Sequence, residues 1–182
     1  MNQESHLDRS KVEILLKELG RRCQDRGPIE MIVVGGAAMI LAYSRDRVTR
    51  DIDAIFEPKM IVYSEVSAIA NEHKIPSNWL NDAVKGLLPE STDQGEVTVY
   101  RWPGITVTVA SAEYLFAMKA SAARIATDSE DLLVLASHLG IDTADEALAI
   151  LVKYYSPKHL MPKSSLLLRS LFSKTDIRTT EP

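Results

Sequence analysis

The stretches Val33-Val34-Gly35-Gly36 and, after fourteen intervening residues, Asp51-Ile52-Asp53 decide the fold of this chain. Met31–Val34 is a short apolar run between turn-forming residues, which predicts a buried strand that ends at the glycine pair. Ala37–Tyr43 is rich in small apolar residues and predicts a helix packed close to that strand. In Asp51–Phe56 acidic and apolar residues alternate, so a strand there places both aspartates on one face.

The remaining sequence predicts further helices and one β-hairpin. Glu96–Arg101 and Ile105–Ala110 alternate around the turn Trp102-Pro103-Gly104, which is typical of a hairpin. Helical spacing and capping residues predict helices at 8–23, 59–73, 112–126, 128–138, 144–155 and 163–172, with 128–131 as the cap of the fourth. Together these elements predict an α/β (α+β) fold, in which a small mixed sheet flanked by helices is followed by a helical C-terminal part.

Length and composition favour a single unit over two ordinary domains. A chain of 182 residues suffices for one hydrophobic core with a small helical appendage. Hydrophobic residues make up 46% and charged residues 25%, which is ordinary for a globular protein and disfavours disorder. We expect residues 1–110 to form the α/β core, 111–173 the helical part and 174–182 a flexible tail.

The sequence also limits where the protein acts and what it binds. No apolar run approaches the roughly 18 residues of a membrane helix, and residues 1–9 are polar, so we expect a cytoplasmic protein with no membrane partner. The formal net charge of −4 provides no overall basic field, so a polynucleotide partner would need a local patch. The single Cys23 cannot form an internal disulfide and is interpreted as structural.

Several common catalytic motifs are absent from the sequence. The four histidines show no metal-ligand spacing, which disfavours a zinc site. There is also no P-loop, no nucleophile elbow and no dinucleotide-binding fingerprint.

A glycine pair, a helix and then two carboxylates on one strand face form a combination that suits a bound triphosphate. Gly35 and Gly36 allow backbone amides to approach phosphates closely, and the start of the following helix adds its positive dipole end. Asp51 and Asp53 supply the oxygen ligands that Mg²⁺ prefers, and Mg²⁺ usually shares its coordination shell with substrate phosphates. The four residues therefore predict a triphosphate site with a divalent cation.

The loop before the aspartates carries three more candidates. Arg47 and Arg50 either contact phosphates or an acceptor, or are ordinary loop cations. Thr49 either contacts a phosphate through its hydroxyl or fixes the loop. The residue types alone leave these alternatives open.

At these residues the sequence resembles the nucleotidyltransferase superfamily, whose signature is Gly followed by Gly or Ser, a helix, and Asp-x-Asp or Asp-x-Glu. More narrowly, Arg47-Val48-Thr49-Arg50-Asp51-Ile52-Asp53 is similar to the Arg-x-Thr-x-Asp-hydrophobic-Asp form of the abortive-infection and mycobacterial toxin-type nucleotidyltransferases. The resemblance covers about residues 30–140. It implies a nucleoside triphosphate as substrate and Mg²⁺ or Mn²⁺ as cofactor, bound by Asp51 and Asp53.

Many members add a third carboxylate from a later strand, but Val97–Tyr100 and Ile105–Thr108 contain no acid, which disfavours a polymerase-like two-metal site.

The same resemblance implies a lysine on the helix after the hairpin and an aspartate early in the next helix. Lys119 fits the first position and would contact a triphosphate oxygen; alternatively, its stem lies along the core while its ammonium reaches water. Asp131, with Asp128 as the alternative, fits the second position and would orient Lys119 or act as a base, although acids in a first helical turn also stabilise the helix without catalysis. On this basis Lys119→Ala is expected to leave the fold intact and to lower activity.

The resemblance implies transfer of a nucleotide from the triphosphate to an RNA, such as the 3′ end of tRNA, or to a protein hydroxyl. A toxin of this type would have a cognate antitoxin as partner. The alternative function is a catalytically inactive nucleotide-binding or antitoxin-like module on the same fold, which the missing third carboxylate favours.

Overall fold

The computed structural model describes residues 6–44 and 46–173, so the predicted tail at 174–182 lies outside the described residues. These residues fall into two compact units. The first, here called the sheet unit, comprises the chain up to Gly86 together with Gly95–Ala110. The second, here called the helical unit, comprises Leu87–Gln94 together with the chain from Ser111 onward. No helix in the described part of the chain is long and apolar enough to span a bilayer.

A five-stranded mixed sheet forms the centre of the sheet unit within the described residues and confirms the predicted fold class. Its order is β3-β2-β1-β5-β4, in which β1 pairs antiparallel with β2 and parallel with β5. The two outer pairs are parallel β2–β3 and antiparallel β4–β5. The strands are β1 (Ile29–Val34), β2 (Ile52–Glu57), β3 (Leu80–Asn81), β4 (Val97–Trp102) and β5 (Ile105–Val109).

Two helices of the sheet unit confirm their predictions. Helix α1 (Arg9–Cys23) begins after Asp8, whose side chain accepts a hydrogen bond from the Lys11 backbone N–H at 2.8 Å. Its buried face packs against β5 and against α3 (Lys59–His73).

Helix α2 begins two residues before its predicted start at Ala37 and ends at the predicted residue, Tyr43, in a π-helical turn. It begins at Gly35, directly after β1, and its α-helical turn Gly35–Ala38 continues as a π-helical turn, Met39–Tyr43. The glycine pair therefore forms the first turn of the helix. At the other end, the Ser44 backbone N–H donates to the Met39 carbonyl at 2.6 Å, the five-residue spacing of a π-helix.

Arg9 binds the last carbonyls of this helix. Its guanidinium donates to the carbonyls of Ile40 at 3.1 Å and Leu41 at 2.8 Å, and to the Tyr100 hydroxyl at 2.8 Å. The final carbonyls of a helix have no partner within the helix, and this side chain supplies a charged donor to two of them.

Arg9→Met is therefore expected to lower the free energy of unfolding by about 2–3 kcal/mol, because buried carbonyls lose a charged donor. Urea unfolding followed by circular dichroism measures the change. Arg21→Met is the matched control, since Arg21 lies on the same helix and pairs with Glu18 but is largely exposed. Arg21→Met should lower the free energy of unfolding by less than about 1 kcal/mol. Equal losses in the two variants would contradict the capping role of Arg9.

Trp79 fixes the short strand β3 to the sheet unit. The indole is fully buried, and its Nε1 donates to the Val66 carbonyl of α3 at 3.0 Å. The Ile52 backbone N–H donates to the Trp79 carbonyl at 2.7 Å, which begins the pairing of β2 with β3. This anchoring places Leu80 and Asn81 beside the start of β2.

The helical unit contains α4 (Ala112–Ala122), α5 (Ile125–Leu139), α6 (Ala144–Tyr154) and α7 (Pro162–Phe172). Ser111 caps α4 as expected, since its hydroxyl accepts from the Tyr114 backbone N–H at 3.1 Å. Thr143 and Glu146 form a capping box at the start of α6.

The boundary between α4 and α5 was predicted wrongly. Helix α4 ends at Ala122, Ala123 is left-handed with φ 47°, and α5 already begins at Ile125. Residues 128–131 therefore lie inside α5 and do not cap it. Alanine strongly favours a helix, so no local signal in the sequence marks this break.

The segment Leu87–Gln94 joins the helical unit by hydrogen bonds to its helices. The Glu90 backbone N–H donates to the Tyr154 carbonyl at 3.1 Å, and the Ser91 hydroxyl donates to the Lys153 carbonyl at 3.0 Å. The carboxylate of Asp93 accepts from the Ser111 backbone N–H at 2.7 Å. The helical unit is thus assembled from two separate stretches of chain.

Candidate functional site

The alternation of β2 decides where the paired aspartates point. Its side chains at Ile52, Ala54 and Phe56 are buried, whereas Asp51 and Asp53 are half-buried on the alternate positions. Phe56 contacts Tyr63 of α3 edge-on, so the apolar face of β2 packs toward that helix. The two carboxylates therefore share the opposite face, as the period of two predicted.

Gly35 lies directly against Asp53. Asp53 is the cross-strand partner of Val34, the last residue of β1. A Cβ added to Gly35 would lie 3.0 Å from Asp53 Oδ2, and Gly35 has a φ of +64°, which disfavours any other residue. The absence of a side chain thus leaves space beside this carboxylate.

Gly36 makes a similar close approach to the loop before β2. A Cβ added there would lie 2.7 Å from Thr49 Oγ1. The Thr49 hydroxyl donates to the Asp51 carbonyl at 3.1 Å, and the Thr49 backbone forms a bridge with Leu7 through hydrogen bonds of 2.7 Å and 2.9 Å. Of the two roles considered for Thr49, these contacts match the fixing of the loop.

Gly36→Ala is expected to lower the free energy of unfolding by about 1–3 kcal/mol, because a β-branched threonine with a tethered backbone yields little space. Urea unfolding measures the loss. In a protein that already carries Thr49→Ala, the further change Gly36→Ala should cost less stability than it does in the wild-type protein. Gly86→Ala is the control, because a Cβ at Gly86 meets no atom within 4 Å. If Gly36→Ala were as stable as Gly86→Ala, the close packing of the glycine against the loop would be unimportant.

Arg47 and Arg50 lie in the same loop as Thr49 in the sheet unit. Arg47 is half-buried and Arg50 is exposed, and each interacts with other groups of the protein. Their positions next to the aspartates keep both as candidates for phosphate or acceptor contacts.

Asn81 contacts Asp51 and lies opposite Asp53, although no pattern in the sequence predicts it. It is the register partner of Asp53 across the parallel β2–β3 pair. Its side-chain Nδ2 donates to Asp51 Oδ2 at 3.2 Å. A strand of two residues has no periodicity, so only the sheet pairing reveals this neighbour.

The Asp51–Asp53 pair suits a hard divalent cation by the chemistry of its donors. Mg²⁺ prefers oxygen ligands and is usually bound by one or two carboxylates together with phosphates and water. In residues 6–44 and 46–173 no group of three or more His, Cys, Asp or Glu side chains is placed to hold a metal ion. A cation on this pair would complete its coordination with oxygens from substrate or water.

Lys119, Asp128 and Asp131 form a buried ionic cluster in the helical unit. Lys119 Nζ lies 3.2 Å from Asp128 Oδ1 and 2.7 Å from Asp131 Oδ2. The three residues are only 6%, 1% and 4% exposed. The alternative that the Lys119 ammonium reaches water is therefore wrong, and both aspartates contact it.

Arg124 joins this cluster from the surface and was not predicted. Its Nε lies 3.0 Å from Asp128 Oδ2, while most of its side chain is exposed. The left-handed Ala123 turns the chain so that Arg124 precedes α5, four residues before Asp128. Two carboxylates and two cations thus balance in formal charge within the cluster.

The candidate residues therefore form two groups. Gly35, Gly36, Thr49, Asp51 and Asp53 come together in the sheet unit, with Arg47 and Arg50 in the adjoining loop. Lys119, Asp128 and Asp131 come together in the helical unit.

Comparison with known proteins identifies the family of the chain. Residues 11–134, about two thirds of the chain, match the sequence model of a family described as a nucleotidyltransferase of unknown function (DUF6036). The matched range includes all of the candidate residues in both groups. No curated protein and no solved structure gives a significant match. Because the match extends over more than half of its length, the chain belongs to this family of nucleotidyltransferases.

Proposed function

We propose that this protein is a metal-dependent nucleotidyltransferase that transfers a nucleotide from a nucleoside triphosphate to a hydroxyl acceptor. The observation that carries the proposal is that Asp51 and Asp53 share one strand face and that Asp53 lies directly against the side-chain-free Gly35. A carboxylate for a cation and half-buried glycine backbone for phosphates thereby lie side by side. The membership of the chain in a nucleotidyltransferase family supports the same conclusion.

In this proposal Asp51 and Asp53 bind Mg²⁺ or Mn²⁺, and the backbone at Gly35 and Gly36 approaches the phosphates. The bound cation would neutralise charge that develops on the phosphates during transfer. The acceptor oxygen attacks the α-phosphorus in line, the bond from that phosphorus to the bridging oxygen breaks, and pyrophosphate leaves. The proton of the acceptor hydroxyl passes to a base.

Lys119 is proposed to offset charge on the leaving phosphates. Its ammonium donates to Asp128 Oδ1 at 3.2 Å and pairs with Asp131 Oδ2 at 2.7 Å, which hold the positive charge in a defined place. Asp131 has two candidate roles, to orient Lys119 or to act as the base. Its 2.7 Å contact with the Lys119 ammonium favours the orienting role. Asp128 and Arg124 extend the same network toward the surface.

The acceptor is proposed from the resemblance to toxin-type nucleotidyltransferases. It would be the 3′ end of tRNA or a hydroxyl of a protein, and a cognate antitoxin would bind the toxin. Both acceptors present a hydroxyl, so the same in-line chemistry serves either one.

The test is incubation of the protein with each α-³²P-labelled nucleoside triphosphate and Mg²⁺, with total tRNA in one series and cell-lysate protein in the other. We expect label to appear in one of the two acceptors, to require the cation, and to be lost in Asp53→Asn. Tight triphosphate binding without labelling of any acceptor would favour the inactive nucleotide-binding module. Failure to bind any triphosphate in the presence of Mg²⁺ would contradict both.

A further inference from the structure

Asn81 is a third polar residue next to the proposed metal-binding pair, Asp51 and Asp53. Strand β3 lies next to β2 and parallel to it, with Asn81 opposite Asp53 in register. The half-buried side chain reaches across to Asp51, where its Nδ2 lies 3.2 Å from Oδ2. Two carboxylates and one amide therefore meet at this edge of the sheet.

The orientation of the Asn81 amide follows from its partners, which are Asp51, the Ala83 backbone N–H and the Asn78 carbonyl, 3.5 Å from Nδ2. The Ala83 backbone N–H donates to Asn81 Oδ1 at 3.0 Å, and a backbone N–H can only donate. An ionised carboxylate can only accept, so the NH₂ group has to face Asp51. These contacts fix the side chain in one direction.

We propose that Asn81 is a positioning residue that orients the Asp51 carboxylate and, because it is neutral, limits the site to one divalent cation. This inference rests on the proposed function, in which Asp51 and Asp53 bind the cation. Groups that hydrogen-bond to a metal-binding carboxylate fix its direction and strengthen metal binding. An aspartate has nearly the same shape as asparagine, so the neutral amide excludes a third negative charge without changing the packing.

Charge gives the physical reason for a single cation. Asp51 and Asp53 together carry the charge that balances one divalent ion, and two ions in one site lie about 3.5–4 Å apart and repel each other. A third carboxylate would be needed to offset that repulsion. Asn81→Asp supplies it at the position where the amide now contacts Asp51.

The experiment measures Mn²⁺ binding in the absence of nucleotide, by electron paramagnetic resonance of the free ion. We expect one Mn²⁺ per chain for the wild-type protein and two for Asn81→Asp. Asn81→Ala should bind one Mn²⁺ with an affinity about tenfold lower, because the Asp51 carboxylate loses its orienting hydrogen bond. Asn81→Asp keeps an oxygen that can accept from the Ala83 N–H, so it is the variant expected to preserve the fold.

Asn78→Asp is the matched control, because Asn78 is exposed, lies three residues before Asn81 and gains the same charge. It should bind a single Mn²⁺ with wild-type affinity. If Asn81→Asp also binds only one Mn²⁺, or if Asn81→Ala binds as tightly as the wild type, the inference is overturned while the proposed metal site stands. If the wild type binds no Mn²⁺, or if Asp51→Asn still binds it, the proposed metal site itself fails, and the inference with it.

Discussion

Asp51→Asn and Asp53→Asn are each expected to abolish the rise in melting temperature that Mg²⁺ or Mn²⁺ causes, and to abolish nucleotide transfer. Two carboxylates on one strand face repel each other, and a divalent cation that binds both relieves the repulsion. A cation at 100 times its Kd stabilises the folded state by about 2.7 kcal/mol. For a chain of this length the melting temperature should rise by roughly 5–10 °C, and more when a triphosphate is present. Thermal unfolding with and without the cation measures the shift.

The metal-free variants separate a functional pair from a structural one. Each should be as stable as the wild-type protein or slightly more stable, since one of two neighbouring negative charges has been removed. Glu57→Gln is the matched control, because Glu57 is an exposed acid at the end of the same strand, and it should keep the full shift. If both aspartate variants retained the metal-dependent shift, or both lost stability without metal, the carboxylates would be structural.

Lys119→Met is expected to lower the free energy of unfolding by about 3–5 kcal/mol, because the carboxylates of Asp128 and Asp131 stay buried without the ammonium that pairs with them. From the sequence alone, removal of this lysine was expected to leave the fold intact. The ion pairs at 3.2 Å and 2.7 Å change that expectation, since the side chain now has a structural role in addition to its proposed catalytic one. Urea unfolding at neutral pH measures the loss.

A second substitution tests whether the buried charge is the cause. Asp131→Asn in the Lys119→Met background should recover part of the lost stability, because it removes a carboxylate that has lost its partner. Lys153→Met is the matched control: Lys153 pairs with Glu113 at 2.6 Å, but it is exposed, so its removal should cost less than about 1 kcal/mol. A loss for Lys119→Met no larger than that of Lys153→Met would show that burial adds nothing to the ion pair.

The parts of the fold that repeat a pattern could be predicted from the sequence. The alternation of acids and apolar residues from Asp51 to Phe56 indicated both a strand and the face that carries the aspartates, and β2 has that arrangement. The spacing in 8–23 and 59–73 predicted α1 and α3 to within a residue. In these segments the local pattern and the packing agree, so reading the pattern suffices.

The features that depend on contacts between distant residues could not be predicted. Ala123 adopts a left-handed conformation although alanine favours a helix. The break between α4 and α5 at this residue allows Lys119 of α4 to pair with Asp128 and Asp131 of α5. Asn81 reaches Asp51 only because β2 and β3 pair. In both cases the partner lies far along the sequence or across a turn that no residue type marks.

The crossing of Leu87–Gln94 into the helical unit bears on whether this protein can be divided into modules. Its hydrogen bonds to Tyr154, Lys153 and Ser111 belong to the helical unit, yet the chain returns afterwards to complete the sheet with β4 and β5. A cut after Ala110 would therefore separate the helices from a segment that they bind. Neither part of the chain is therefore expected to fold as an independent domain. A truncation at that point would leave hydrogen-bonding groups without their partners both in Leu87–Gln94 and in the helices. The two units are expected to be inherited, expressed and folded together.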